Sequence, residues 1–108
     1  PRRMAMSLDP VIHPINRLRI CAALHNAGAV SRGRAGREMR FAELRDQLAL
    51  TDATLSKQLS ALESHGYVTR SRDYGSTRAQ DVVWVALTEA GERALDAHLA
   101  ALREIAGM

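Results

Sequence analysis

Thr51-Asp52-Ala53-Thr54-Leu55-Ser56-Lys57-Gln58-Leu59-Ser60-Ala61-Leu62-Glu63-Ser64-His65-Gly66 is the segment from which the rest of this chain can be read. Leu55, Leu59 and Leu62 recur at the spacing of one helical face. Thr51 is a good N-cap, Asp52 suits the positive end of the helix dipole, and Gly66 is a left-handed C-cap. With the leucines turned inward, helical geometry turns Ala53, Lys57 and Ser60 outward, flanked by Thr54 and Ser56. No acidic residue falls between Ala53 and Leu62.

Upstream, Ala42 to Leu48 carries Leu44 and Leu48 at i, i+4 and reads as a two-turn helix, joined to the next by Ala49-Leu50. Met39-Arg40-Phe41 reads as a short strand. Residues 29–38, with two glycines, three arginines and no apolar period, read as a mobile basic loop. Asp9-Pro10 and His13-Pro14 mark the entry to a first helix from Pro14 to Ala27, stopped by Gly28. Its apolar residues form two stripes, Ile15, Leu18 and Ala22 on one side and Ile20, Leu24 and Ala27 nearly opposite. A helix apolar on two sides is buried on both, and a chain this short favours a partner for the second. Residues 1–9 read as a flexible arm without the apolar segment of a signal peptide.

Downstream, Tyr67 to Asp73 and Val82 to Leu87 read as strands around a turn-rich tip, which makes a hairpin. Thr88 caps a last helix, with Glu89 and Glu92 in its first turn. Leu95, Leu99, Leu102 and Ala106 form one stripe along it, and Ala90, Ala94, Ala97 and Ala101 form a second. The expected fold class is α+β, mainly α. Two short helices across a tight turn, followed by a hairpin, describe a winged helix-turn-helix between N- and C-terminal dimerisation helices, a single domain over 1–108.

The short polar side chains of the second helix of the pair suit a groove only about 12 Å wide. At the tip, Ser76, Thr77 and Arg78 suit phosphate or minor-groove contact, with Arg70 and Arg72 leading to it. Composition agrees: 15 basic against 12 acidic residues give a net charge of +3, which points to a polyanionic partner. Residues 1–40 hold eight arginines against Asp9 and Glu38. Aromatic residues make up only 4% of the chain, too few for a stacking platform that binds single strands. No apolar run is long enough to span a bilayer.

A single cysteine, Cys21, excludes an internal disulfide and suits a reducing interior. Mid-helix, it reads as a small buried apolar residue rather than a reactive thiol. The four histidines show no close metal spacing, and no Gly-rich phosphate loop or nucleophile elbow occurs. No enzyme activity, metal or cofactor is expected.

The chain resembles the winged-helix transcriptional regulators related to the MarR and ArsR groups. His13-Pro14, Arg17-Leu18-Arg19-Ile20 and Phe41-x-x-Leu44 carry the likeness first. Leu50 to Leu59, Leu62-Glu63-x-x-Gly66-Tyr67-Val68 and Leu87-Thr88-x-x-Gly91 follow in order. The resemblance implies a cytoplasmic homodimer on double-stranded DNA, with the helix from Thr51 reading the major groove and the hairpin tip on the flanking backbone. It places Thr54, Ser56, Lys57 and Gln58 at DNA-contacting positions; Gln58 stands where relatives often have histidine. The expected DNA-contacting set is therefore Thr51, Ala53, Thr54, Ser56, Lys57, Gln58, Ser60, Arg70, Arg72, Ser76, Thr77 and Arg78. The expected dimer contacts are Ile20, Leu24 and Ala27 with Ala94, Leu95, Ala97, Leu99, Ala101, Leu102 and Ile105. A winged helix can instead dock a protein without binding DNA, and the fold alone does not decide between the two.

Overall fold

A computed structural model describes residues 7–32, 36–77 and 81–108. Four helices and three strands follow in the order α1 (Ile15–Asn26), β1 (Met39–Arg40), α2 (Phe41–Leu48), α3 (Asp52–Ser64), β2 (Val68–Asp73), β3 (Val82–Leu87) and α4 (Glu89–Ile105). The sheet is antiparallel in the order β1-β3-β2, with Met39 opposite Val85 and Val68 opposite Leu87. The expected mainly-α winged helix is what the chain forms. Phe41, read from sequence as strand, instead opens α2.

The two terminal helices run antiparallel, because His25 of α1 meets Glu92 of α4 while His13, ahead of α1, meets His98. Leu44 and Leu48 of α2, the three leucines of α3, Val85 and Leu87 of β3 and Leu95 of α4 close one core around Ile20 and Leu24. Gly91 lets α4 pass close to the end of α3. A Cβ there would collide with the Tyr67 carbonyl oxygen, while Thr88 N donates to that same oxygen at 2.9 Å.

The two apolar stripes of α1 are covered unequally in the single chain. Ile20 and Leu24, assigned from sequence to a partner, have no exposure in the single chain, and the same holds for Leu95 and Ala101 of α4. On the other stripe Ile15 is 66% exposed, while Leu18 and Ala22 are half-buried. Both stripes are apolar, so periodicity could not say which faced inward. Burial of Cys21, helped by nearby Asp9, pushes its thiol up to about 12, so it stays protonated and inert at neutral pH.

Two segments expected to be mobile are anchored in part. Asp9, placed from sequence in the flexible arm, accepts from the backbone of Val11 at 2.8 Å and from the Tyr67 hydroxyl at 2.7 Å. Residues 1–6 lie outside the described residues. In the basic loop, Ala29 and Val30 are buried, and Val30 bridges Leu87 in parallel. Arg32 then reaches Glu92 through Nη2 at 2.8 and 2.9 Å. Residues 33–35 of that loop are not described.

Candidate nucleic-acid interface

The pose of α3 follows from three attachments. Leu55, Leu59 and Leu62 are fully buried, which fixes the rotation of the helix about its axis. Thr51 caps its start, accepting from Thr54 N at 3.1 Å. Arg45 of α2 donates to Asp52 at 2.9 Å and to Asp46 at 2.9 Å; the two carboxylates, Asp46 first, raise its pKa further. Between α2 and α3 the chain turns at Ala49, which sits in the left-handed region at φ 56°. Arg19 of α1 donates to the Leu48 carbonyl at 2.7 Å, satisfying an otherwise open acceptor at the end of α2.

This pose exposes Thr51, Ala53, Lys57 and Ser60 and leaves Thr54, Ser56 and Gln58 half-buried. Lys57 forms no ion pair among the described residues. An open groove of about 450 Å³ separates α3 from the hairpin, lined by Phe41, Asp52, Ser56, Arg70, Arg72 and Val83.

Arg70 does not point toward the hairpin tip. It crosses from β2 to α3, where Nε and Nη2 donate to Glu63 Oε1 at 3.0 and 2.7 Å. Its other donors reach Ser56 Oγ at 3.1 Å and Ser60 Oγ at 2.9 Å. Three functional candidates from two elements, Ser56, Ser60 and Arg70, thus become one network, with Glu63, absent from the sequence-derived set, as its anchor. No spacing in the sequence singles out Glu63, because its pairing with Arg70 depends on how the hairpin lies against α3.

Arg72 stays on the hairpin, 3.5 Å from Asp81 and 5.9 Å from the centre of the Tyr74 ring. Asp81 also accepts from Gly75 N at 3.1 Å, so the carboxylate that lowers the wing's charge also shapes its tip. Ser76 and Thr77 are exposed at the tip, and Arg78 lies outside the described residues. Tyr74 is 79% exposed there. Arg40, also missed, is exposed and sits 5.5 Å over Trp84, its cross-strand partner in the β1–β3 register. That pairing was the signal, and it needed the register to be seen.

On the dimer side, Ala27, Ala97 and Ile105 are exposed, while Ala94, Leu99 and Leu102 are half-buried. No helix among the described residues is long and apolar enough to cross a membrane.

Residues 29–106 match the family described as winged helix DNA-binding domain. Three solved structures are similar over most of the chain. A transcriptional regulator homologue from Pyrococcus horikoshii OT3 is 18% identical, with a TM-score of 0.75 over 90% of this chain and 85% of that one. The ytfH protein of Salmonella typhimurium, described as a candidate transcriptional regulator, is 26% identical, with a TM-score of 0.64 over 88% and 76%. The YusO protein of Bacillus subtilis is 17% identical, with a TM-score of 0.66 over 94% of this chain and 60% of that one. No curated protein matches the sequence.

Proposed function

We propose, since the chain belongs to the winged helix DNA-binding domain family, that it is a sequence-specific regulator of transcription, acting as a homodimeric repressor in the cytoplasm. The observation that carries the reading is the outer side of α3. Ala53, Lys57 and Ser60 are exposed beside the wing, while the helix is held from behind by three fully buried leucines. A helix with small side chains and a cation that forms no ion pair among the described residues is what a major groove admits. The ytfH description supports a regulatory role.

In this mechanism each α3 enters a major groove, two copies lie about one helical turn apart on an imperfect palindrome, and the bound dimer occludes polymerase. The tip residues Ser76, Thr77 and Arg78 rest on the adjoining backbone. The protein acts by binding rather than by catalysis, and its kinship lies with the MarR and ArsR groups.

Titration of labelled duplex at two salt concentrations tests the reading. Affinity that weakens steeply with salt is expected. No affinity at low salt would leave the protein-docking module as the function. Selection of bound genomic fragments would then supply the operator.

A further inference from the structure

We propose that Arg70 is a positioning residue that turns Ser56 into a fixed hydrogen-bond donor, with which α3 selects an acceptor on the duplex. The inference rests on the DNA-binding role of α3 and assigns Arg70 and Ser60 a different part from direct contact.

The directions of the bonds carry the argument. A guanidinium has donors only, so both serine oxygens accept from Arg70. Ser60 Oγ in turn donates to the Ser56 carbonyl at 3.0 Å. Its hydrogen and one lone pair are therefore used inside the chain, although helical geometry turns Ser60 outward. Ser56 Oγ accepts from Arg70 Nη1, and its own hydrogen meets no acceptor among the described residues. Ser56 stands on the wall of the groove between α3 and the hairpin. The cation at its back discourages approach by a second donor, so the hydroxyl is set to give a hydrogen and not to receive one.

Arg70 itself has little charge left to offer DNA. Its fork closes on Glu63 at 2.7 Å, with the two side chains 22% and 35% exposed. A cation already neutralised by a neighbouring carboxylate displaces few counterions from DNA. Arg70 then acts through Ser56 and does not hold a phosphate of its own.

The test uses the full chain. Duplexes bound by the unaltered protein are selected from a random pool, and affinities for every single-base variant are measured with Ser56→Ala, Arg70→Gln and the double variant. Salt dependence and thermal unfolding are recorded alongside. Each single variant should lose about fivefold in affinity, the worth of one neutral hydrogen bond. The double variant should lose no more than the poorer single, because the two residues act as one unit. A loss confined to one base pair per half-site assigns the acceptor to a base edge, and an even loss assigns it to a phosphate oxygen.

The salt slope of Arg70→Gln combined with Glu63→Gln, which removes the ion pair without leaving a bare carboxylate, should equal that of the unaltered protein. A slope lower by about 0.9, the signature of a lost phosphate contact, would overturn the proposal, as would losses that multiply. If Arg70→Gln unfolds, Arg70→Lys carries the same test, since an ammonium cannot span Ser56, Ser60 and Glu63 together. An unaltered protein with no duplex affinity would overturn the DNA-binding reading itself, before any variant is compared.

Discussion

Tyr67 donates its phenolic hydrogen to Asp9 Oδ2 at 2.7 Å, joining the segment ahead of α1 to the turn that follows α3. Burial opposes the Asp9 charge most strongly. The Tyr67 hydroxyl and the backbone N–H groups of Val11 and Ile12 together outweigh it, leaving the carboxyl below its ordinary value. The same bond, with burial, pushes the Tyr67 phenol up to about 12. Tyr67→Phe should cost about 1.5–3 kcal/mol in urea unfolding at pH 7, the usual worth of a hydrogen bond to a charged group. A carboxyl depressed in the folded state stabilises fully above its unfolded value near ~4. That contribution is lost as pH falls through the folded value. Asp9→Asn should therefore be less stable at neutral pH and lose less on acidification below about pH 4.

His98 gives a second pH window, higher than that of Asp9. The Asp9 backbone N–H donates to Nδ1 at 2.8 Å, which leaves the ring proton on Nε2, a buried atom with no partner among the described residues. Burial first, then His13 with its ring 5.5 Å away, lowers the His98 pKa, against an opposing pull from Asp9. A histidine lowered in the folded state stabilises fully above its unfolded value near ~6.5 and loses that contribution as pH falls toward the folded value. Unfolding free energy should therefore begin to drop below about pH 6.5. His98→Gln should flatten that part of the curve; an unchanged profile would place the loss elsewhere.

Ala49 holds φ at 56° in the turn between α2 and α3, where a side chain costs about 1–2 kcal/mol and glycine costs nothing. Ala49→Gly should raise stability despite loosening the unfolded chain, which takes back about 0.4–1 kcal/mol. The expected net gain is about 0.5–1 kcal/mol, read as a higher urea midpoint at constant slope. A loss would mean that the turn relaxes out of the left-handed region in solution.

Such a turn shows where the sequence stops being legible. Leu55, Leu59 and Leu62 announce their helix, and Thr51 and Thr88 announce its start and that of α4, because periodicity and capping are local signals. The hairpin was readable from its β-branched run. Ala49 carries no mark of its conformation, since nothing about alanine favours positive φ. The inward side of α1 was likewise hidden, because Ile15 and Ile20 are equally apolar and only packing against the other elements of the fold separates them. Within the candidate site, the outward set on α3 followed from the leucines alone. The reach of Arg70 back to Ser56 and Glu63 needed the angle between hairpin and helix, which no spacing encodes.

Lys57 is the exposed cation on the outer side of α3, without an ion pair among the described residues. If it meets a phosphate, Lys57→Ala should weaken binding evenly across sequences and lower the salt slope by about 0.9. Thermal stability should stay unchanged, since an exposed helical lysine supports little of the fold. Weakening confined to one base pair would instead make Lys57 a reader of a base edge. An unchanged slope and affinity would take it off the interface.

The proposed dimer needs apolar side chains that the single chain leaves uncovered, and the ends of the antiparallel terminal helices carry such residues. Ile15 begins α1, and Ile105 ends α4 at the same end of the pair, with Met108 beyond; they are 66%, 67% and 87% exposed. Sedimentation at micromolar concentration should give about twice the chain mass of 11.9 kDa. Ile105→Lys places a cation at a helix C-terminus, where it is tolerated, and removes a side chain that the monomer hardly buries. Unfolding of the monomer should change little while the mass falls to that of one chain. Affinity for a two-half-site duplex should fall with it, because linked half-sites bind far more tightly than separate ones. A variant that remains dimeric would move the contact away from this end of α4, and a chain that is monomeric from the outset would leave three exposed apolar residues without a role.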